Sequence, residues 1–127
     1  MQDFIAAVDF MAGRYPTVTR LWAGGMSFGS WIGMTQGAAD RRVSALIGIA
    51  PPVTKYNFSV VISAAKPTFL IVGERDRLVS VKDVRKFYGQ LSEPKELVVI
   101  DDADHLFDGH VSEVGDAIED LLVDYDG

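Results

Sequence analysis

The sequence predicts an α/β protein: a three-layer α/β/α sandwich on a short, mainly parallel sheet of about four strands. Two observations carry this expectation. Short runs of unbroken apolar character recur, VSALIGIA at 43–50, TFLIV at 68–72 and ELVVI at 96–100. Segments of helical period separate them. Strands apolar on every residue are buried on both faces, as in parallel sheets covered by crossover helices, and each such crossover is right-handed. A chain of 127 residues has enough surface to bury one core and too little for two, so residues 1–127 are expected to form a single domain.

Phe4, Ile5, Val8 and Met11 recur at helical spacing over 3–13, with Gly13 and Pro16 as stop signals. Residues 18–23, VTRLWA, read as a short strand broken by Gly24 and Gly25. SFGSWIGMTQGAA then reads as a helix of small and apolar residues. Its internal Gly33 and Gly37 cost roughly 1 kcal/mol each relative to alanine, a cost offset where a helix packs closely on a sheet. The strand at 43–50 stops at Pro51 and Pro52. Residues 54–65 are ambiguous between a short helix and an irregular crossover. Pro67 and Gly73 bracket the strand at 68–72. Ser80 and Asp83 form a capping-box pattern for a helix through about Leu91. The strand at 96–100 precedes a final helix from about Ser112 to Val123.

The bulk properties exclude several functions. Hydrophobic residues make up 48% of the chain, which argues against disorder. The formal charge of −6 opposes a nucleic-acid partner, since phosphate contacts need clustered Lys and Arg. With no cysteine, disulfides, thiolate nucleophiles and thiolate metal sites are absent. The apolar runs are far short of a membrane span, and MQDFIAAVDFM carries acids and no basic leader. A cytoplasmic protein without membrane contact is the expectation.

Three features fall at the carboxyl ends of expected strands, where open α/β sheets place their sites. Gly25-Met26-Ser27-Phe28-Gly29 is a G-x-S-x-G pattern. Its spacing suits a sharp strand-to-helix turn that holds a serine in a strained, exposed position. The helix beginning there aims the Phe28 N–H toward a developing oxyanion. The pentapeptide alone is a weak signal; the alternative is a Gly-rich turn with Ser27 as helix cap. Gly24 and Gly29 have the outer spacing of a phosphate-binding loop, but Ser30 and Trp31 stand where Lys and Ser/Thr are needed. Asp76, in Gly73-Glu74-Arg75-Asp76, is placed to orient a histidine, with Glu74 its local competitor and an ordinary turn aspartate the alternative. His105 follows Asp101-Asp102-Ala103-Asp104 on a post-strand loop, where a general base can reach a serine on another loop. An acid-held loop histidine is the alternative, and the acidic run has no recognised metal spacing. His110 reads as a surface or capping residue. The joint order Ser27, Asp76, His105 is nucleophile, acid, base, each after a different strand.

In these three segments, WAGGMSFGSWIG, PTFLIVGERDRLVS and VVIDDADHLFDG, the chain resembles the α/β-hydrolase superfamily, more narrowly the small, lid-poor members related to dienelactone hydrolases. The resemblance implies Ser27 as nucleophile, Asp76 as acid, His105 as base and the Phe28 N–H as one oxyanion donor, with no metal or organic cofactor. It also implies a C-terminal half only of that fold, a truncated α/β-hydrolase lacking the early strands and the loop that gives the second oxyanion N–H. On that reading residues 18–23 become an exposed edge, and a homodimer through the nucleophile-strand region is expected.

The function these expectations favour is a serine hydrolase acting on small carboxylic esters or related acyl compounds through an acyl-enzyme. Its rival is a non-catalytic, self-associating domain derived from a hydrolase. A flavodoxin-like or receiver-like domain expects an acidic or phosphate site after its first strand, where this chain has Gly25–Gly29. Met26, Phe28, Trp31, Tyr56, Phe58 and Phe107 are candidates for an apolar acyl site, and equally for core or dimer contacts.

Overall fold

The computed structural model describes residues 2–14 and 21–124. Helix α1 spans Gln2–Arg14, and the elements that follow are β1 Trp22–Met26, α2 Phe28–Ala39, β2 Ala45–Ile49, α3 Ser59–Ala64, β3 Thr68–Gly73, α4 Val81–Gly89, β4 Lys95–Ile100 and α5 Val111–Asp124. The strands form one sheet in the order β1-β2-β3-β4. Each adjacent pair is parallel, in registers that include Gly25 opposite Gly48, Ile49 opposite Ile71 and Gly73 opposite Ile100. All four carboxyl ends therefore lie along one rim, and the loops leaving them can meet.

The sheet is covered on both faces. Ala23, Leu46, Leu70 and Val72 pack with Met34 of α2, Val61 of α3 and Val84 and Phe87 of α4. Ala45, Phe69, Ile71 and Ile100 pack with Val114, Ile118 and Leu121 of α5. The expected three-layer α/β/α sandwich is therefore present. β3 is buried along all six of its residues, which is why TFLIV carries no polar alternation. On α1, Phe4 packs on the first cluster while Met11 is exposed; the side chains of Ile5 and Val8 lie outside the described residues.

The first strand differs from expectation. It occupies Trp22–Met26 and includes Gly24 and Gly25, which the sequence suggested as breakers; residues 18–20 of the expected strand lie outside the described residues. Glycine serves here because α2 crosses this strand at close range. A Cβ on Gly33 would lie 2.5 Å from the Gly24 carbonyl oxygen, and one on Gly37 would lie 2.7 Å from the Ala23 Cβ. The helical glycines thus sit where the helix meets the sheet. The ambiguous 54–65 region resolves into the short α3. Ser80 caps α4, its side chain accepting from the Asp83 N–H at 3.3 Å.

A half-buried polar clamp ends α2. Lys66 Nζ donates to the carbonyl oxygens of Gly37, at 2.7 Å, and Asp40, at 2.6 Å, as a second donor beside the Asp40 and Val43 N–H groups, which reach the same oxygens at 3.3 and 3.1 Å. Burial pushes the Lys66 ammonium down from its ordinary pKa, opposed by the Asp40 charge. The Asp40 carboxyl is itself held below the usual range by its side-chain hydrogen bonds from Arg42. Replacing Lys66 by Met should destabilise the fold by about 0.5–1.5 kcal/mol through the lost hydrogen bonds, since both carbonyls keep a backbone N–H donor. Urea denaturation followed by circular dichroism measures this; an unchanged midpoint would show that water replaces the clamp without cost.

Candidate active site

The turn between β1 and α2 presents Ser27. Its backbone has φ 53° and ψ −123°, a left-handed conformation that costs an L-residue about 1–3 kcal/mol and persists only where the surroundings over-determine it. They do so here. The Ser27 N–H donates to the Ile49 carbonyl at 2.7 Å, and the Ser27 carbonyl accepts from the Ser30 N–H at 2.9 Å and from the Ser30 hydroxyl at 2.5 Å. Gly25 is required sterically, because a Cβ there would collide with the backbone of Gly29. Gly29, the second glycine of the pattern, faces open space, so the two glycines are not equivalent.

Ser27 makes no side-chain cap on α2, contrary to the capping alternative. Its Oγ lies 2.9 Å from His105 Nε2. The opposite ring nitrogen, Nδ1, lies 2.7 Å from Asp76 Oδ2. An ionised carboxylate can only accept, so Nδ1 carries the proton and Nε2 is left to accept from the serine hydroxyl. The Asp76 side chain is fully buried and that of His105 is 14% exposed. Asp76 is fixed in turn, with Oδ1 accepting from the N–H groups of Leu78 and Val79 at 2.8 and 2.7 Å. The loops after β3 and β4 are tied together. Arg75 N–H donates to the Ala103 carbonyl at 2.8 Å and Glu74 N–H to the Ile100 carbonyl at 2.9 Å.

The competing acids have other partners. Glu74 Oε1 accepts from the Asp102 N–H. Asp102 pairs with Arg75 at 2.6 Å, and Asp104 Oδ1 accepts from the Leu106 and Asp108 N–H groups. His110 Nδ1 meets Glu113 at 2.7 Å on the first turn of α5, the capping position the sequence suggested. Among the described residues no group of three or more His, Asp or Glu is arranged to hold a metal ion. No helix there is long and apolar enough to cross a membrane.

A cavity of about 110 Å³ opens at the serine, lined by Ser27, Phe28, Pro52, Lys55, Tyr56, Leu78, Val79 and His105. A cleft of about 590 Å³ shares His105 and Leu78 with it and is further bounded by Arg75, Arg77, Asp102, Asp104 and Leu106. Of the aromatic candidates, Phe28 and Tyr56 line the cavity and Trp31 stacks on Tyr56 at 4.7 Å between ring centroids. Phe58 and Phe107 are core residues, and Met26 is exposed. Lys55, Leu78 and Val79 were not singled out by sequence. Only Pro51-Pro52, marking the end of β2, pointed to the loop that carries Lys55.

No family model matches the chain. It is 32% identical over 95% of its length to an uncharacterized protein of Rickettsia prowazekii, 54% of which it covers. Among solved structures it is similar to a lidless α/β serine hydrolase from Xanthomonas campestris, with TM-score 0.84 and 28% identity over 98% of this chain and 56% of that one. A serine hydrolase homologue from Coxiella burnetii matches at TM-score 0.78 and 32% identity over 88% of this chain and 53% of that one. A protein of unknown function from Agrobacterium tumefaciens, proposed to be an α/β hydrolase, matches at TM-score 0.82 and 28% identity over 91% of this chain and 55% of that one. The chain thus has an α/β-hydrolase-like fold and shares homology with that superfamily. The expectation of a resemblance to a C-terminal half only is corrected, because the homology spans 91–98% of this chain in the Agrobacterium and Xanthomonas matches. The chain spans about half the length of the relatives it matches.

The inequivalent glycines give a paired test. Gly25→Ala should destabilise the chain by about 1–3 kcal/mol, as overpacking does, whereas Gly29→Ala, with open space at its Cβ, should fold with near-parental stability. Thermal melting of the two variants checks this; equal loss in both would contradict the steric assignment.

Proposed function

We propose that residues 1–127 act as one α/β-hydrolase-like domain whose activity is serine-dependent hydrolysis of small carboxylic esters or related acyl compounds, with Ser27 as nucleophile, His105 as general base and acid, and Asp76 as the group that orients His105. The observation that carries this reading is the unbroken chain from Ser27 Oγ through His105 at 2.9 Å to Asp76 at 2.7 Å. Homology with α/β serine hydrolases supports it.

In the first half-reaction, Ser27 Oγ bonds to the acyl carbon as its proton passes to His105 Nε2. Asp76 stabilises the resulting imidazolium. The Phe28 N–H, at the first position of α2 and so ahead of the intrahelical ladder, donates to the oxyanion. Collapse breaks the bond to the leaving oxygen, which takes the proton from His105, and leaves the acyl group on Ser27. A water molecule deprotonated by His105 then attacks that ester, releasing the acid and restoring the serine.

Labelling by a fluorophosphonate probe tests the assignment. The folded chain should label, Ser27→Ala should abolish labelling, and Asp76→Asn should slow ester turnover by about 10²–10⁴-fold through loss of the tautomer that Asp76 selects. A folded sample that does not label would overturn the hydrolase reading and leave the non-catalytic, self-associating one.

The same proposal includes a homodimer through the nucleophile-strand region. Support comes from β1, which among the described strands pairs with β2 alone; an edge strand so placed is a template for another strand. Sedimentation should show a dimer at micromolar concentration, and a stable monomer would overturn it.

A further inference from the structure

Two cavities flank His105, and their charge differs. In the larger cleft Arg75 is neutralised by Asp102 at 2.6 Å, and the Asp104 carboxylate faces the same space as Arg77. That cleft has no clear preference for either sign. The smaller cavity, at Ser27, is different. Apart from Lys55, its wall consists of Ser27, His105 and the apolar or aromatic side chains of Phe28, Pro52, Tyr56, Leu78 and Val79. Lys55 is therefore its one side chain with a full charge when His105 is neutral. The nearest buried carboxylate, Asp76, is consumed by His105 Nδ1 and by the Leu78 and Val79 N–H groups. Among the described residues Lys55 has no salt-bridge or side-chain hydrogen-bond partner.

Its position is set by the backbone. After β2, the chain turns at Pro51 and Pro52, and the Lys55 and Tyr56 N–H groups both donate to the Pro52 carbonyl, at 3.0 and 3.3 Å. The turn thus delivers a cation to the serine cavity of a chain whose formal charge is −6. The surrounding protein repels anions, while Lys55, which is exposed, offers an anion at the cavity the modest attraction of a solvent-screened surface charge. The cavity, about 110 Å³, is well below the roughly 300–1,000 Å³ of sites for drug-sized ligands, and with Phe28, Tyr56 and Leu78 exposed it matches a short acyl group without enclosing it.

From this we infer that Lys55 is a specificity-determining residue for acyl groups that end in an anion: the preferred substrates are half-esters of short dicarboxylic acids, with the free carboxylate against Lys55 and the ester carbonyl at Ser27. The inference rests on the serine-hydrolase reading and goes beyond it in naming the acyl class.

The test compares two activated esters of matched length, 4-nitrophenyl hydrogen glutarate and the neutral 4-nitrophenyl valerate, by the ratio of their kcat/KM values. The parental chain should favour the half-ester. Lys55→Met should lower the ratio about 5-fold, the upper range for a solvent-accessible ion pair, and Lys55→Glu should lower it further. The preference should also shrink as salt rises from 0.05 to 0.5 M. Turnover of both esters with a ratio that Lys55→Met leaves unchanged would overturn the Lys55 inference and leave the hydrolase reading standing. Turnover of neither would overturn both.

Discussion

The left-handed backbone of Ser27 is the constraint to which the rest of the site is fitted. A serine at φ 53° directs its side chain away from the helix it begins, and the strain must be repaid by neighbours. The Ile49 carbonyl and Ser30 hold both sides of the turn, and Gly25 leaves the space into which the first turn of α2 descends. The glycines along α2 extend the same demand, letting the helix lie close on β1 so that the turn can be tight. The feature that exposes the hydroxyl thus reaches back into the sheet.

The second half of the site depends on loops brought together by parallel register. With β3 and β4 paired from Thr68 opposite Lys95 to Gly73 opposite Ile100, the segments carrying Asp76 and His105 leave the sheet side by side. Gly73 has no side chain to obstruct the Ala103 and Asp104 carbonyls. Asp76 spends one oxygen on the backbone and the other on His105. The buried carboxylate is therefore fully bonded, as burial of a charge requires, and the imidazole is held in a single tautomer. β1 and β3 are separated by β2; the loop after β4 carries His105 to within hydrogen-bonding distance of Ser27.

Much of this was legible in the sequence because it depends on local rules. Unbroken apolar runs at 68–72 and 96–100 follow from burial on both faces. Ser80 and Asp83 act within one helical turn, and G-x-S-x-G is a backbone demand written in five consecutive residues. The chain order of Ser27, Asp76 and His105 placed each beyond a different strand, and parallel strands bring such positions to one rim. The bounds of β1 were not legible. Gly24 and Gly25 look like breakers in isolation and are strand residues only because α2 lies close against them.

By itself the sequence determined the layer architecture, the strand-to-helix turn and the three polar side chains able to form a relay, since hydrophobic period and turn chemistry act between near neighbours. Only the tertiary structure decided that Ser27 bonds to His105 and not to its own helix, that Asp76 and not Glu74 meets the imidazole, and that Lys55 stands at the serine cavity. Those choices are made across 78, 29 and 28 residues of separation for Ser27–His105, Asp76–His105 and Glu74–Asp102. At such distances a partner is fixed by which loops the sheet register brings within hydrogen-bonding range, and no local pattern encodes that.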